Sequence, residues 1–522
     1  MSPDSTDVLV VGAGPAGLTL ATCLRAQGVS VRVVDRTAGP PYRESAFLHG
    51  KGSEVLQRIG ALGDMAEDVP TVNKITAYLG KQRLRLRYTE PGMPNPARPM
   101  IISQTRIEEA MRDRLAEQDV TVEWDSGLVD LEDDADGVTA VLDNGERIRA
   151  GWVVGCDGPE SMTRKAARIG FPGTTERYLM IDAHADWPLD RDGLTGWLSP
   201  DGRRVGTMPM VDRKTGRDDL WRILARDPQE DSDKPSEEEI VSRVKLMLAQ
   251  RTPYGDMPLR DITTKMVFPA HVRVADAFRK GHVLLVGDAA HAYVPFGGPA
   301  IHTGMGDAEN LAWKLALVIQ RRAGDELLAT YEAERRPIAE ETHLGTSAAQ
   351  RADIMRNPVV HFFQDQVLAP LLKLPLAQRL TTFSNSALWE SYRTGPLGSG
   401  SRLDRKPRPG DTVADFDCVR PSDRRLTRLY DEIGGRWVLL VPAGGAGAAV
   451  ATTRQWLGED RFTVVERTVG SVPGPYPKKV RELAGEVWLV RPDGHLAWRG
   501  RPDSSGLARW LQGALRHGSV RG

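Results

Sequence analysis

Residues 281–315 read GHVLLVGDAAHAYVPFGGPAIHTGMGDAENLAWKL, a pattern of strand, loop and helix. The apolar run 282–286 predicts a buried strand that leads to Asp288, and helix-period apolar spacing predicts a helix over 305–317. Asp288 can accept hydrogen bonds from a sugar-alcohol chain, and a helix N-terminus near Thr303 offers amide donors and a partial positive charge. The stretch predicts a binding site for a polar ring that becomes anionic on reduction, although many α/β proteins contain a similar element.

Composition predicts a large cytoplasmic protein. The 522 residues suffice for about two to four domains. The 69 Lys and Arg residues balance 70 Asp and Glu residues, which argues against a nucleic-acid or anionic-membrane partner. No apolar run approaches membrane-span length, and the acidic N-terminus carries no secretory signal. Cys23, Cys156 and Cys418 lie far apart without metal-type spacing, so we expect no metal site, no disulfide framework and a reducing compartment.

A second ligand-binding pattern begins the chain. The apolar run 7–12 predicts a central parallel strand that leads directly into GAGPAG at 12–17, a G-x-G-x-x-G pattern. A helical segment, 18–26, and a second strand, 29–34, follow, and that strand ends at Asp35. Strand, glycine turn, helix, strand and terminal acid in this order predict a dinucleotide-binding unit, and they are far more specific than the glycines alone.

The residues of this pattern have separate physical roles. Gly12 allows the tight turn, Gly14 lets backbone approach a pyrophosphate, and Gly17 lets the helix pack on the strand. Asp35 can accept a hydrogen bond from the adenosine ribose and would repel a 2′-phosphate, which favours FAD or NAD over NADP. A glycine-rich turn without a ligand is the alternative. The cofactor-binding residues predicted here are Gly12, Gly14, Pro15, Ala16, Gly17, Asp35 and Arg36.

Three motifs along the chain carry a resemblance. GAGPAG at 12–17, GCDG at 155–158 and GDAAH at 287–291 occur in this order. Together they resemble the group A FAD-dependent aromatic hydroxylases, single-component flavoproteins with the p-hydroxybenzoate hydroxylase fold. The resemblance covers about residues 7–336. Within the family it is closest to the aromatic polyketide hydroxylases of antibiotic pathways, which carry an additional thioredoxin-like C-terminal domain.

The resemblance implies an α/β fold in three parts. A Rossmann-like (GR2-type) FAD-binding domain would comprise residues 1–177 and 275–393, with long helices at its end. An inserted antiparallel-sheet substrate domain would comprise residues 178–274, and a thioredoxin-like domain residues 402–522. The last segment has the strand pattern of such a domain but no CxxC, so we expect it to serve stability or association.

The predicted substrate domain contains short apolar stretches that read as antiparallel strands. Pro209 cannot donate to a sheet ladder, so we expect it at a strand end or on an edge strand. Four side chains could line a pocket for a flat aromatic substrate, with ordinary sheet packing as the alternative: Met208, Met210, Trp221 and Met266.

The resemblance also implies further cofactor-binding residues. These are Arg43, Gln104, Leu128, Asp157, Asp288, Pro295, Gly298, Ala300 and Ile301. Lys51 replaces a family arginine, so Arg43 could supply the missing guanidinium or remain a solvated loop cation. Asp157 could instead cap the helix that follows it, and Arg164 would contribute to transient binding of NAD(P)H.

The loop after Asp288 departs from the family pattern at two positions. Ala300 replaces a glycine and would be strained if its φ were positive. His302 replaces an asparagine and could donate to the flavin's carbonyl edge or titrate near neutral pH. Tolerated drift is one explanation, and altered flavin mobility or chemistry is the other. No general base can be assigned; the weak catalytic candidates are Arg43 and His302, and Tyr293 is a neighbour by position only.

The resemblance implies a monooxygenase. FAD, with NAD(P)H as a transient co-substrate and O2, would hydroxylate an aromatic polyketide or other polyphenol through a flavin C4a-hydroperoxide. Baeyer–Villiger insertion or oxidative rearrangement on the same substrate class is the first alternative. An NAD-linked dehydrogenase or flavin reductase would leave the GDAAH motif unexplained, and a non-catalytic flavin-binding protein is the remaining alternative. We expect a monomer or a homodimer.

Overall fold

A computed structural model describes residues 5–42, 45–67, 69–79, 82–87, 99–198, 204–212, 215–227, 235–293, 299–348, 390–400, 407–467, 485–502 and 505–518. The helices are α1 (Pro15–Ala26), α2 (Gly50–Ile59), α3 (Gln104–Ala116), α4 (Met162–Ala166), α5 (Glu237–Arg251), α6 (Pro299–Ile319), α7 (Glu326–Ala348), α8 (Leu429–Ile433), α9 (Gly447–Leu457) and α10 (Gly506–His517). The strands are β1 (Ser5–Val11), β2 (Val31–Val34), β3 (Ser45–Leu48), β4 (Lys74–Leu79), β5 (Gln82–Arg87), β6 (Met100–Ser103), β7 (Val122–Glu123), β8 (Leu128–Asp134), β9 (Gly137–Leu142), β10 (Arg147–Gly155), β11 (Gly173–His184), β12 (Gly193–Leu198), β13 (Arg204–Pro209), β14 (Leu220–Arg226), β15 (Arg260–Val274), β16 (Arg279–Lys280), β17 (Val283–Leu285), β18 (His291–Ala292), β19 (Asp417–Val419), β20 (Leu426–Arg428), β21 (Trp437–Val441), β22 (Phe462–Arg467), β23 (Val487–Val490) and β24 (Leu496–Gly500).

The first sheet is a parallel core with antiparallel additions. Its strands lie in the order β16-β17-β10-β1-β2-β7, and β9 and β8 extend it from β10. β1 pairs in parallel with β10 and β2, and β17 in parallel with β10. Val8 and Val10 pack with α1 and α6, whereas Leu9 and Val11 pack with the β8–β9 hairpin. Because both faces are covered there, residues 8–11 of β1 are apolar without polar alternation.

The second sheet has the order β18-β15-β11-β14-β13-β12-β4-β5. β4 and β5, at residues 74–87, precede the range 178–274 predicted from sequence, and β18 follows it, so the sheet extends beyond both ends of that range. Pro209 is the last residue of β13, the strand-end position expected for a residue without an N–H. α5, which begins with a capping box of Ser236 and Glu239, covers one face.

The third sheet belongs to the C-terminal part and has the order β20-β19-β22-β21-β23-β24. β21 is buried at every position, because alternate residues pack toward α9 and α10 on one face and toward α8 on the other. Trp437 of β21 also meets Trp313 of α6, with ring centroids 5.0 Å apart. The C-terminal sheet therefore shares an apolar core with the helices of the first domain.

Helix α6 begins at Pro299, earlier than the predicted start at Met305. Proline is suited to a first helical turn, because the missing N–H would have no partner within the helix there. Ala300 is therefore helical and has no positive φ, so the strain considered for this position is absent. Thr303 lies inside the helix, not at its N-terminus.

No helix among the described residues is long and apolar enough to cross a bilayer. Residues 349–389, part of the predicted long-helix region, lie outside the described residues.

Candidate functional site

Asp35 closes the glycine-rich turn between β1 and α1. One carboxylate oxygen accepts the Ala13 amide hydrogen at 2.8 Å. The other accepts from the Thr37 amide at 3.0 Å and from the Thr37 hydroxyl at 2.8 Å. Gly12 has a φ of 106°, a backbone conformation that favours glycine. The local conformation required by a dinucleotide-binding turn is therefore present, with a carboxylate at its rim.

The first two glycines of the pattern have different surroundings. A Cβ on Gly12 would lie 2.5 Å from the carbonyl oxygen of Cys156, so the turn packs tightly against the end of β10. A Cβ on Gly14 would meet no heavy atom within 4 Å. Gly17 packs against Gly12 and does not border the open space at Gly14. The turn is thus closed on the protein side and open on the other, which suits the approach of a pyrophosphate.

A single channel of about 510 Å³ connects Asp35 with Asp288. The two acids follow β2 and β17, two strands of the same sheet, so the channel crosses the carboxyl ends of the parallel strands, where ligands bind in open α/β sheets. Most of the predicted cofactor-binding residues line it: Gly12, Gly14, Pro15, Ala16, Asp35, Arg36, Gln104, Leu128, Asp157, Asp288, Ala300 and Ile301.

The channel also has lining residues that the sequence did not indicate. They include Thr37, Gly127, Val129, Asp143 and Met162. Asp143 accepts the Gly127 amide hydrogen at 2.9 Å and so joins the two ends of the β8–β9 hairpin beside the channel. An acid in a hairpin loop has no distinctive spacing, and only the pairing of the strands brings this one to the site.

Asp157 lines the channel and also supports the first turn of α4. It accepts hydrogen bonds from the Ser161 hydroxyl at 2.5 Å and from the Thr163 amide at 3.0 Å. The N-cap itself is Ser161, whose side chain accepts the Arg164 amide hydrogen. The capping role considered for Asp157 therefore belongs to Ser161, and Asp157 holds the turn around it.

The guanidinium of Arg164 is occupied by protein contacts. It donates to the carbonyl oxygens of Ala289 at 2.9 Å and Pro159 at 2.7 Å, and it lies 3.8 Å from the ring centroid of Phe171. The side chain is buried. Arg164 is therefore placed to fix the backbone next to Asp288, and its contribution to transient binding of NAD(P)H stays a prediction.

The backbone before Asp288 is held by Asp307 of α6. The Gly287 amide donates to Asp307 at 3.1 Å, and the Nε2 atom of His291 lies 2.5 Å from the same carboxylate oxygen. Burial would raise the pKa of Asp307, but the charges of His291 and Arg335 outweigh burial and hold that pKa below its ordinary value. Asp307 is therefore an ionised carboxylate at neutral pH. No local pattern indicates this role, because Asp307 lies 20 residues after Gly287 in the chain.

Several predicted residues do not line the channel. His302 is buried, with its ring 4.4 Å from the ring of His49, and it is absent from the described lining. Tyr293 is buried, and burial raises the pKa of its phenol well above the ordinary value, so the phenol stays neutral. Arg43, Pro295 and Gly298 lie outside the described residues.

The four side chains proposed for an aromatic pocket do not share one surface. Met208 and Met210 pack with Phe47 on one face of the second sheet. Trp221 packs with α5 on the opposite face, because it pairs across the sheet with Pro209, and residues on either side of Pro209 in the chain point to the other face. Trp221 is thus a sheet-packing residue, and its predicted pocket role is corrected. Met266 is 41% exposed.

The fold and the channel define a class of protein. A mainly parallel sheet with a glycine turn and an acid at one end of a channel, and a second acid at the other end, fits an extended dinucleotide that carries a redox ring. The open space at Gly14 leaves room for a pyrophosphate, and one channel lined by both Asp35 and Asp288 suits a ligand that extends from one acid to the other. The site is that of a flavin-dependent oxidoreductase.

Comparison with known proteins gives the family. Residues 5–344 match the family model described as FAD binding domain, and residues 406–517 match the one described as aromatic-ring hydroxylase, C-terminal. The chain belongs to the FAD-dependent aromatic-ring hydroxylases. The resemblance, the fold class, the monooxygenase activity and the FAD cofactor predicted from the sequence are confirmed.

The similarity extends over whole relatives. The chain is 32% identical to 6-methylpretetramide 4-monooxygenase of Streptomyces rimosus, over 95% of this chain and 91% of that protein. It is 33% identical to a 3-(3-hydroxy-phenyl)propionate/3-hydroxycinnamic acid hydroxylase of Mycobacterium sp. (strain JLS), over 94% of this chain and 88% of that protein. The solved structure of the anhydrotetracycline hydroxylase OxyS from Streptomyces rimosus aligns with a TM-score of 0.77 and 28% identity, and covers 97% of this chain and 98% of that one.

Proposed function

We propose that this monooxygenase uses NAD(P)H and O2 to hydroxylate a polycyclic aromatic polyketide. The observation that carries the proposal is the single channel between Asp35 and Asp288. One extended FAD could bind in this channel and contact two distant parts of the chain. The substrate class is supported by the likeness to 6-methylpretetramide 4-monooxygenase over nearly the full length of both proteins.

Different channel residues would contact different parts of FAD. Asp35 would accept from the adenosine ribose, the backbone at Gly14 would face the pyrophosphate, and Asp288 would accept from the ribityl hydroxyls. Ala300 and Ile301, in the first turn of α6, would face the redox ring. The helix N-terminus would favour a ring that gains negative charge by about 0.3–1 kcal/mol.

Bound FAD would supply the redox chemistry: with two electrons from NAD(P)H, one atom of O2 would pass to an electron-rich ring and the other would leave as water. The protein orients the substrate against the ring, excludes water and stabilises charge. Tyr293 keeps its proton, so it is not the base that deprotonates a phenolic substrate. Arg43 and His302 remain the candidates with a catalytic role, and no described contact assigns them one.

Product analysis tests the proposal. Purified protein should be yellow and release FAD on denaturation. With NADPH and ¹⁸O2, a panel of tetracyclic and naphthoquinone substrates should yield a product that contains one ¹⁸O atom in a ring hydroxyl. A label in a new lactone would instead indicate Baeyer–Villiger insertion. NADPH oxidation that yields only hydrogen peroxide with every member of the panel would contradict the proposed substrate class.

A smaller phenolic acid is the second candidate substrate. It is favoured by the 33% identity to the mycobacterial 3-(3-hydroxy-phenyl)propionate/3-hydroxycinnamic acid hydroxylase across 94% of this chain. The same assay with 3-(3-hydroxyphenyl)propionate decides between the two, because the preferred substrate should have the higher kcat/KM with coupled product formation.

We also propose a cytoplasmic protein that is a monomer or a homodimer. The three cysteines are buried free thiols, which supports a reducing compartment. Light scattering on the purified holoenzyme measures the oligomeric state.

A further inference from the structure

A buried network of polar contacts surrounds the backbone beside Asp288. Arg335 of α7 is fully buried, and its Nε atom donates to Asp307 at 2.5 Å. The same guanidinium donates to the carbonyl oxygen of Thr303 at 3.0 Å. Gly306 gives it room, since a Cβ at that position would lie 3.2 Å from the guanidinium. Arg335 therefore fixes the first turns of α6 directly and the loop before Asp288 through Asp307.

The other side of Arg335 faces the segment that leads to the C-terminal domain. Its Nη1 atom donates to the Glu390 carboxylate at 3.1 Å and to the Tyr392 hydroxyl at 2.8 Å. The Tyr392 ring lies 4.2 Å from the ring of His495, which is in the turn between β23 and β24. The contacts are thus continuous from the C-terminal hairpin to the loop that lines the channel.

A second path runs through the residue before Arg335. Glu334 accepts two hydrogen bonds from Arg491 of the C-terminal hairpin, both at 2.9 Å, and one from Lys314 of α6 at 2.8 Å. Asn310 joins this cluster by donating to Glu334 at 2.8 Å and to Asp493 at 3.2 Å. Two consecutive residues of α7 therefore connect the same hairpin to α6 and to the flavin-facing loop.

Buried charges of this kind are stable only when every partner is present, because an unpaired charge away from water is costly. The C-terminal hairpin supplies Arg491 and Asp493 to the cluster around Glu334, and its His495 packs on the Tyr392 ring. We propose that Arg335 and Asp307 are positioning residues through which the docked C-terminal domain holds the backbone at Gly287 and Thr303 in the geometry that the flavin ring requires. This role goes beyond the stability or association predicted for that domain, and it does not depend on the identity of the substrate.

The substitution Tyr392→Phe tests the connection between Arg335 and the C-terminal hairpin with the smallest change. It removes the hydroxyl that accepts from Arg335 and keeps the ring that packs on His495. Thr453→Val is the matched control, since it also removes one buried hydroxyl, here inside the C-terminal domain, where Thr453 donates to the Ala449 carbonyl of its own helix α9. Glu390→Gln provides a second, isosteric change on the same side of Arg335.

Three measurements distinguish positioning from mere stability. In the apoprotein, amide hydrogen exchange of peptides that cover residues 283–293 should be several-fold faster in Tyr392→Phe and Glu390→Gln than in wild type. In the FAD-saturated protein, the visible flavin bands should shift. The Kd for FAD, measured by titrating the apoprotein, should rise several-fold. Thr453→Val should match wild type in all three.

Two outcomes would overturn the proposal. In the first, both network variants exchange like wild type over 283–293 and give its flavin spectrum, even if their melting temperatures fall. In the second, Thr453→Val produces the same changes as the network variants, because loss of any buried hydroxyl in the domain would then suffice. Neither outcome bears on the proposed substrate.

Discussion

A Cβ on Gly17 would lie 2.0 Å from the carbonyl oxygen of Gly12, too close for any side chain. This contact brings α1 against the end of β1. Gly14 lies between Gly12 and Gly17 in the chain and borders the channel. A Cβ on Gly14 would meet no heavy atom within 4 Å. One short motif thus contains a glycine that the packing requires and a glycine that only a ligand would require.

We expect Gly17→Ala and Gly14→Ala to separate these two roles. Gly17→Ala should destabilise the apoprotein by about 1–3 kcal/mol, as overpacking does, because helix and strand must move apart. Gly14→Ala should leave the thermal midpoint of the apoprotein near wild type and weaken FAD binding by about tenfold or more, since its methyl group enters the channel. Thermal unfolding and flavin titration measure the two effects. Equal loss of apoprotein stability in both variants would contradict the assignment.

Asp35→Asn should weaken FAD binding and also loosen the turn. Both carboxylate oxygens already accept hydrogen bonds, one from Ala13 and one from Thr37, and asparagine offers a single acceptor oxygen. A hydrogen bond to a charged group is worth about 1.5–3 kcal/mol. Thr37→Val is the control, because it removes only the hydroxyl contact with Asp35. We expect a larger rise in the Kd for FAD in Asp35→Asn than in Thr37→Val, measured by flavin fluorescence; the reverse order would refute the placement of Asp35 at the cofactor.

Asp288→Ala should lower the FAD content of the purified protein, because it removes an acceptor for the ribityl hydroxyls. The loss of about 1.5–3 kcal/mol corresponds to roughly a 10- to 100-fold weaker Kd. Asp288→Asn keeps one acceptor oxygen and should lose less. The ratio of flavin to protein absorbance gives the occupancy, and unchanged occupancy in Asp288→Ala would rule out the proposed contact.

The stabilising contribution of ionised Glu334 to the free energy of unfolding should be lost at low pH. Burial would raise the pKa of Glu334, but Arg491 and Lys314 outweigh burial and lower that pKa from 4.5 to about 2. Because the folded pKa is the lower one, this contribution is present above about pH 4.5 and is lost as the pH falls toward 2. Glu334→Gln should therefore flatten the acid side of the stability profile.

At neutral pH, Glu334→Gln should cost about 3–5 kcal/mol, because Arg491 and Lys314 lose their carboxylate in a buried site. Glu459→Gln is the control, since Glu459 pairs with Arg454 at the exposed surface and should change stability by less than about 1 kcal/mol. Urea unfolding midpoints from pH 7 to pH 3 measure both effects. Parallel profiles for wild type and Glu334→Gln would show that Glu334 does not titrate as described.

Much of the cofactor site could be predicted because its requirements are local. Gly12 has the positive φ that the tight turn requires, and Asp35 follows β2 directly, so neighbouring residues contain the whole pattern. The start of α6 was missed because its first turn, from Pro299, has no apolar periodicity. Trp221 was misplaced because sequence alone does not say which face of a strand is covered by a helix.

The sequence by itself determined the class of fold and the cofactor, since glycine turns, strand-end acids and apolar periods act over a few residues. Only the tertiary structure decided that Asp35 and Asp288 share one channel, that Arg164 holds the Ala289 carbonyl, and that Arg335 joins the flavin loop to the C-terminal hairpin. These contacts join residues far apart in the chain. Such pairings depend on how sheets and helices pack, and no local pattern encodes them.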